Sequence, residues 1–575
     1  MSSEHDKEDN YSEPSSVSPC TTRSSDPAVP QALTGSPGDD TNALARSMSR
    51  VSYRSSIDSK KDVDLIYDSP EQFQRLEKIE TNVRPNYQDV LEADPWKYPL
   101  DLNSNLRIVT FVDEDEDDPR RMSFVRKWVI TVILGLVCFG VAFCSAVVTG
   151  DIKGPRDYFH VSTEVIILTV TLFVVGFGVG PLVFAPASEE FGRQIVYIVT
   201  FGFAVLFVIP CALARNIGTL LVCRLIDGIA FSAPMTVIGG SLADIWAVEE
   251  RGIAMTVFSA APFIGPALGP LVGGFIGDFM YWRWIYWISF FFVLGLYILL
   301  VLFVPETHHT TILRRRVKKL IKLTGDRRYV TAKDADPMPA SELLKVTLLR
   351  PVQLLAEPIV FFITLYMTVL YGLLYMFFFA YPVVYGEGKG WSDHMTGLMF
   401  IPLAIGIILS ACCAKFVNDD YNRRAKVFKD RGEPVPPEVR LIPMMFGAPF
   451  IPIGLFIFAW TSYPHVHWIG PAIGGAPVGF GFIFLYNAAN NYLIDTYVHV
   501  AASALAAKTF VRSLWGAGCV LFTIQMYHTL GYEWASSLLA FIALACCLIP
   551  FCFYFLGAKI RARSKYAFNH NAASG

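Results

Sequence analysis

Charge is scarce in this chain, and so are the residue pairings from which enzymes and metal sites are built. Only 17% of the 575 residues are charged, where a soluble globular protein carries about a quarter, so a water-exposed fold is excluded for most of the length. The 11 cysteines form no CxxC pair and no His/Cys ligand spacing, and apart from Cys20 they fall in apolar runs, as Cys138, Cys412, Cys413, Cys546 and Cys547 do. That pattern argues against a disulfide framework and a zinc site, so no metal is expected. The apolar runs hold no nucleophile–base constellation, and neither enzyme activity nor a cofactor is expected. The long polar N-terminus has no leader-like apolar core, so no cleavable signal peptide is expected and the first apolar run acts as its own insertion signal. A net charge of −2 gives no basic excess, and no nucleic-acid partner is expected.

What the chain does have is apolar length, with 53% hydrophobic residues. Runs long enough to span a bilayer, about 20 residues each, lie near 128–148, 163–185, 195–214, 218–242, 253–277, 284–304, 357–382, 395–414, 442–461, 468–492, 509–529 and 535–556. The longest polar interruption falls after the sixth, so the pattern is six plus six. Basic residues cluster in alternate loops: Arg314, Arg315, Arg316, Lys318, Lys319, Lys322, Arg327 and Arg328 in the centre, Lys415 to Arg431 after the eighth run, and Lys559 to Lys565 at the end. The positive-inside rule then places both termini and the central loop in the cytoplasm.

This divides the chain into a disordered cytoplasmic tail at 1–125, a six-helix bundle at 126–304, a central loop at 305–356, a second six-helix bundle at 357–557 and a short tail at 558–575. The first tail is Ser-, Pro- and acid-rich. It holds kinase-like patterns at Arg46 to Arg50 and Arg54 to Ser56, and an Asn10-Tyr11-Ser12 triplet on the side where glycosylation cannot use it. Its acidic run, Asp113 to Asp118, is read as solvated; the basic residues that follow suit an anionic inner leaflet. Ile312 to Leu323 is basic and amphipathic, as an interfacial helix within a linker would be.

Residues 262–277 read PFIGPALGPLVGGFIG. Gly265, Gly269, Gly273 and Gly277 recur every fourth residue beside Pro262, Pro266 and Pro270. On a helix each such step drifts about 40°, so the glycines form one smooth stripe and the prolines another. In water this composition would ruin a helix. In a bilayer it suits a close small-xxx-small crossing, and its partner is expected in the eighth span, where Gly406 and Ser410 repeat the small-residue spacing.

Two six-span halves joined by a cytoplasmic loop resemble the major facilitator transporters, whose binding site lies at the midplane between halves. Gly180 to Arg193, ending Ser188-Glu189-Glu190-Phe191-Gly192-Arg193, is similar to that family's loop between helices 2 and 3, although Ala185 and Gln194 depart from the pattern. Arg224-Leu225-Ile226-Asp227-Gly228 resembles its R-x-x-x-G motif. Gly265-Pro266-Ala267-Leu268-Gly269-Pro270-Leu271-Val272-Gly273-Gly274 resembles its antiporter motif, carried by Gly265, Pro266, Gly269, Pro270, Gly273 and Gly274. Trp282 to Trp287, Pro305-Glu306-Thr307-His308, Asn491 to Tyr497 and Arg512 to Gly518 are similar to the fungal twelve-span drug:proton antiporters, which include multidrug and polyamine exporters. Asp118-Pro119-Arg120-Arg121-Met122-Ser123 departs from the entry segment of many relatives.

The resemblance implies an all-α membrane protein of the major facilitator fold. It implies export of small organic molecules (drugs, toxins or polyamines) across the plasma membrane, in preference to the vacuolar one, by proton antiport. The expected partners are a small-molecule substrate, protons and the lipid bilayer, and a monomer is expected. A proton-coupled importer on the same fold and a non-transporting membrane sensor remain the alternatives.

Charges inside a bilayer cost at least about 2.5 kcal/mol each, so every one needs a reason. Arg224 and Asp227, about one turn apart, can pair and are expected to couple protons; a static ion pair is the other reading. Asp244, about 30 Å further along span 4, joins the proton-coupling set from the cytoplasmic end. Glu189, Gly192 and Arg193 at the membrane edge are expected to act as a conformational latch. For Asp495 and Glu357 capping or solvation is expected, and for His465 and His467 exposure. The second half offers no buried pair of comparable quality. Its substrate-binding candidates are Tyr371 and Tyr375, which suit flat or cationic molecules, and Asn487, Asn490 and Asn491; interhelical packing is the other reading for each.

Overall fold

The computed structural model describes residues 98, 106–111, 115, 117–247, 250–335, 349–564, 566 and 567. The kinase-like patterns and the Asn10 triplet lie outside the described residues. Among those described, twelve helices are long and apolar enough to cross a membrane. Spans 1 to 6 are Phe124–Gly150, Thr163–Phe191, Arg193–Ala212, Ile217–Ile245, Gly252–Phe279 and Arg283–Phe303. Spans 7 to 12 are Pro358–Glu387, Asp393–Asp430, Pro437–Thr461, Ile469–Thr496, Ala501–Leu530 and Tyr532–Arg561. Helices satisfy their backbone groups internally, the condition for crossing hydrocarbon. Large apolar side chains such as Leu206, Phe291 and Phe555 point outward from the bundle, as a lipid-facing surface requires.

Each expected run has its helix, with three departures of consequence. Span 8 continues as helix through the basic segment read as a loop, with Asp420 paired to Arg423 at 2.5 Å and Arg424 at 2.6 Å along its surface. Span 11 begins at Ala501, well before the expected 509, because the alanine-rich stretch that precedes Lys508 favours helix. The third departure lies in the stretch expected to lack structure. There, strand β1 (Arg107–Val109) pairs in parallel with β2 (Tyr329–Thr331) of the central loop, followed by a short helical turn at Pro119–Arg121.

Two apolar cores follow the six-plus-six division. One is built from spans 1 to 6 around Phe173, Tyr197, Phe201 and Phe231. The other, from spans 7 to 12, takes in Ala146, Ile167, Val174, Phe263 and Ala267 from the first half, and these residues mark the surface where the halves meet. Span 2 lies against span 11, and span 5 against span 8. At the end of the bundle away from the central loop, Lys153 reaches Asp393 at 3.1 Å and Asp278 bonds His394 at 2.6 Å, so polar contacts join the halves there.

The glycine stripe of span 5 does not face span 8. A Cβ at Gly265 would stand 2.7 Å from the Phe139 carbonyl oxygen, and one at Gly269 would stand 2.8 Å from the Val147 nitrogen. One at Gly273 would strike the Val147 carbonyl. The stripe is pressed onto span 1 of the same half. Its neighbouring face meets the start of span 8: a Cβ at Gly397 would lie 2.8 Å from the Pro270 carbonyl oxygen and from Leu271 Cα, and one at Gly274 would lie 2.5 Å from the Asp393 carbonyl oxygen. Gly406, the expected partner, packs against Ala476 and Phe480 of span 10 instead. The spacing identified a close crossing; spacing alone cannot say which neighbour fills it.

Candidate functional site

At the central-loop end, span 2 stops at Gly192, whose φ of 101° only glycine adopts readily. A Cβ there would also strike Glu306. The Glu306 carboxylate is buried and accepts hydrogen bonds from the backbone N–H groups of Arg193 (2.9 Å), Gln194 (3.3 Å), Thr307 (3.0 Å) and His308 (3.0 Å). It therefore caps the N-terminus of span 3, where the helix dipole favours a negative charge. Arg193 donates from Nε to Asp244 at 3.3 Å and from Nη1 to Ser188 Oγ at 2.6 Å. Arg193 and Gly192 thus meet Asp244 and Glu306, and Asp244 belongs to this cluster, far from Arg224.

Glu189 sits apart. Its side chain is exposed, and it offers only its carbonyl oxygen to Lys333 at 2.9 Å. The neighbouring Glu190 makes the ion pairs, with Arg314 at 2.8 Å and Lys333 at 3.0 Å. Helical rotation turns Glu190 toward the central loop. The acidic run also differs from its solvated reading. Asp115 and Asp117 both hold Arg316 of the central-loop helix (His309–Thr324), Asp117 at 2.7 Å. With Arg107 3.6 Å from Asp326 and β1 paired to β2, this N-terminal segment binds the central loop.

Burial, then the nearby Arg193 charge, pushes the His308 imidazole down to about 4. Folded protein keeps this ring neutral where the unfolded chain protonates it. The unfolded state then binds more protons between about 4 and the ordinary 6.5, so stability rises with pH across that window. Thermal unfolding in detergent should show stability falling from pH 6.5 to 4, and His308→Gln should flatten the slope.

Within the first half, Arg224 is 3% and Asp227 1% exposed, yet no ion pair joins them. Arg224 turns toward spans 1 and 2, donating to the Cys144 carbonyl at 3.2 Å and the Thr169 carbonyl at 3.3 Å, with its guanidinium 4.1 Å from the Phe173 ring centre. Asp227 turns toward span 3, where the Cys211 thiol approaches at 3.6 Å. Arg224 Nη2 and Asp227 Oδ1 are buried without hydrogen-bond partners. Gly228 lets span 2 approach so closely that a Cβ would strike the Phe173 carbonyl.

Between the halves lies a narrow cavity of about 10 Å³, lined by Ser145, Phe177, Phe263, Tyr371, Tyr375, Tyr486 and Arg512 among others. Tyr375 donates to Ser145 Oγ at 3.3 Å, and the Tyr371 and Tyr375 hydroxyls are 3.5 Å apart. Ser145 follows Cys144, the carbonyl that holds Arg224, so neighbouring residues of span 1 face the cavity and the buried arginine.

Sequence reasoning missed the two strongest groups here. Lys508 and Arg512 of span 11 are 2% and 8% exposed. The Arg512 guanidinium lies 4.6 Å from the Tyr371 ring centre and 5.4 Å from that of Tyr486, and Lys508 Nζ stands 5.2 Å from the same Tyr486 ring. Lys508 bonds the Asn490 side-chain oxygen. Their i, i+4 spacing was the available signal. Asn487 and Asn491 look elsewhere, into a second cavity toward the central-loop end that also takes in Gly252, Ser410 and Arg440. Asp495 pairs with Arg440 at 2.7 Å, and Glu357 precedes span 7, its carbonyl accepting from the Phe361 nitrogen at 2.9 Å. His465 and His467 are exposed.

Residues 128–519 match the family model described as Major Facilitator Superfamily. Over 464 residues the chain is 58% identical to the transporter paaT of Penicillium rubens, covering 80% of this chain and 84% of that one. It is 43% identical over 462 residues to the efflux pump FUB11 of Gibberella moniliformis, covering 80% and 77%. Among solved structures, the proton:xylose symporter XylE matches with a TM-score of 0.54 over 75% of this chain and 96% of that one, at 15% identity, a likeness of fold alone.

Proposed function

Because the chain belongs to the major facilitator superfamily, we propose that it is a secondary active transporter exporting small organic molecules from the cytoplasm across the plasma membrane in exchange for protons. The observation that carries this reading is Asp227. It is a carboxyl group buried in span 4, near a guanidinium that it does not touch, with one thiol as its hydrogen-bond donor. An ionised carboxylate at that depth costs several kcal/mol unless paired. A conformation that brings Arg224 to Asp227 and one that parts them would therefore differ in proton affinity, which is what coupling requires.

In this reading Arg224 and Asp227 couple protons, and Asp244 sits with Arg193 and Gly192 in the cytoplasmic latch that opens as the halves rock. The cavity around Tyr371 and Tyr375 takes the substrate. Both termini and the central loop lie in the cytoplasm, and the protein works as a monomer. The span 5 motif, with Gly265, Pro266, Gly269, Pro270, Gly273 and Gly274, keeps spans 1 and 5 sealed, and its resemblance to antiporters supports export. The driving force suffices, at about 1.4 kcal/mol per pH unit for each proton and about 2.3 kcal/mol per charge for each 100 mV.

The test uses inside-out vesicles from pump-deficient yeast expressing the chain, with probes drawn from a resistance profile of that strain. Acid-inside vesicles should accumulate a probe, and a protonophore should abolish the accumulation. An importer would show no such uptake, and that result would reverse the assigned direction.

A further inference from the structure

Lys508 and Arg512 are buried one helical turn apart in span 11, at the surface where the halves meet. Two cations so placed are costly in a bilayer unless something neutralises them. Among the described residues no carboxylate forms an ion pair with either. Lys508 has the Asn490 amide oxygen and the Tyr486 face. Arg512 has two tyrosine faces, and its Nε is buried without a hydrogen-bond partner. The first half adds no acid to the cavity wall: it contributes Ser145 and apolar groups such as Phe177, Met235 and Phe263. The only ionised group on that wall is Arg512, and Lys508 stands behind it against the same Tyr486 ring.

This charge inventory decides between ligands that the aromatic residues alone leave open. A tyrosine face attracts cations, but those of Tyr371 and Tyr486 are already occupied by Arg512. A second cation entering the cavity would meet the Arg512 guanidinium at low dielectric and no counter-ion. A small inorganic anion would satisfy Arg512 and leave the apolar wall empty. An acid group on a flat apolar body satisfies both: a carboxylate or sulfonate accepts from the guanidinium in the planar geometry it favours, and the body lies against Phe263, Phe177 and the tyrosine rings. In this conformation the cavity measures about 10 Å³, room for about one water molecule, so a one- or two-ring molecule enters it only as the halves part.

Resting on the transporter reading above, we propose that the cavity between the halves binds aromatic or otherwise amphipathic organic anions, with Arg512 as the acid-group ligand. Polyamines and other organic cations are then not substrates of this site. The molecule binds with its acid group toward span 11 and its ring toward spans 5 and 10, where Phe263 stacks on Phe482 at 5.8 Å.

The experiment measures binding to the purified full-length chain in lipid nanodiscs with two permanently charged probes that share a ring system, naphthalenesulfonate and naphthylmethyl-trimethylammonium. Permanent charge removes passive weak-acid diffusion from the result. The anion should bind at least about tenfold more tightly, and Arg512→Gln should remove about that factor, as loss of one charge-assisted hydrogen bond does. Arg512→Lys should recover part of it, which a merely structural arginine would not. Equal affinities, or tighter binding of the cation, would overturn the proposal with the wild-type chain alone, whatever the variants do. Binding is read separately from transport. Anion binding without proton-driven accumulation would leave this inference standing and remove the exporter reading; accumulation of the cation alone would do the reverse.

Discussion

Replacing Asp227 by Asn should abolish proton-driven accumulation in inside-out vesicles while leaving the protein in the membrane at its normal abundance. The amide occupies the same volume and can still meet the Cys211 thiol, 3.6 Å away in the native chain, so packing gives no reason for misfolding. What disappears is a group that can change charge. A transporter that couples one proton sustains about a tenfold concentration ratio for each pH unit across the membrane; without a titrating group at the coupling site the ratio should fall to one. Counterflow of probe down its own gradient should survive, because Asp227 turns toward span 3 and does not line the cavity by Tyr371 and Arg512. If Asp227 only held a helix contact, Asn would preserve both modes. The absence of a direct Arg224–Asp227 ion pair strengthens the expectation, since a static pair would be made in this conformation. Unchanged accumulation in the Asn variant would take Asp227 out of the mechanism.

How far the sequence foretold this arrangement varied with the kind of pattern involved. Twelve spans were legible because a helix in hydrocarbon needs length and apolarity, and both are local. The Arg193 cluster was half legible: Gly192-Arg193 stood out by its motif and Asp244 by its place at the cytoplasmic end, but Glu306, which caps span 3, is distant in sequence from Arg193. Counting positions put the latch acid at Glu189, whereas rotation about span 2 leaves that side chain exposed and gives its neighbour Glu190 to Arg314 and Lys333. The binding candidates fared least evenly. Tyr371 and Tyr375 do line the cavity, but Asn487 and Asn491 face another one; Lys508 fell just outside the expected span 11, and Arg512, inside it, stood out only as part of a family motif. A membrane helix does not end where charge appears if the charge points inward. The N-terminal strap was illegible for a related reason: Asp115 and Asp117 resemble a solvated run until Arg316, some two hundred residues away, is placed beside them.

Gly269→Leu should stop transport and lower the amount of folded protein, because the stripe it interrupts presses onto the backbone of span 1. A Cβ at this position would stand 2.8 Å from the Val147 nitrogen and 2.9 Å from Ala146 Cβ, closer than any rotamer change can relieve. Overpacking a core costs about 1–3 kcal/mol when side chains can shift. Here the obstacle is a helix, so spans 1 and 5 must separate along the crossing that Gly265 and Gly273 also make. Separation would displace Ser145 and Cys144, the neighbours on span 1 that hold Tyr375 on one side and Arg224 on the other. The variant therefore damages cavity and coupling site together. Gly295→Leu supplies the control: it lies in span 6 with nothing within 4 Å of its Cβ position, and should leave transport intact. Fluorescence-detected size-exclusion chromatography gives the folded yield, and vesicle accumulation normalised to that yield separates assembly from function. Gly269→Ala should fall between the two, since one methyl meets the same backbone without the bulk beyond it. A fully active Leu variant would mean that spans 1 and 5 can part without consequence, and the sealing role assigned to the stripe would have to be abandoned.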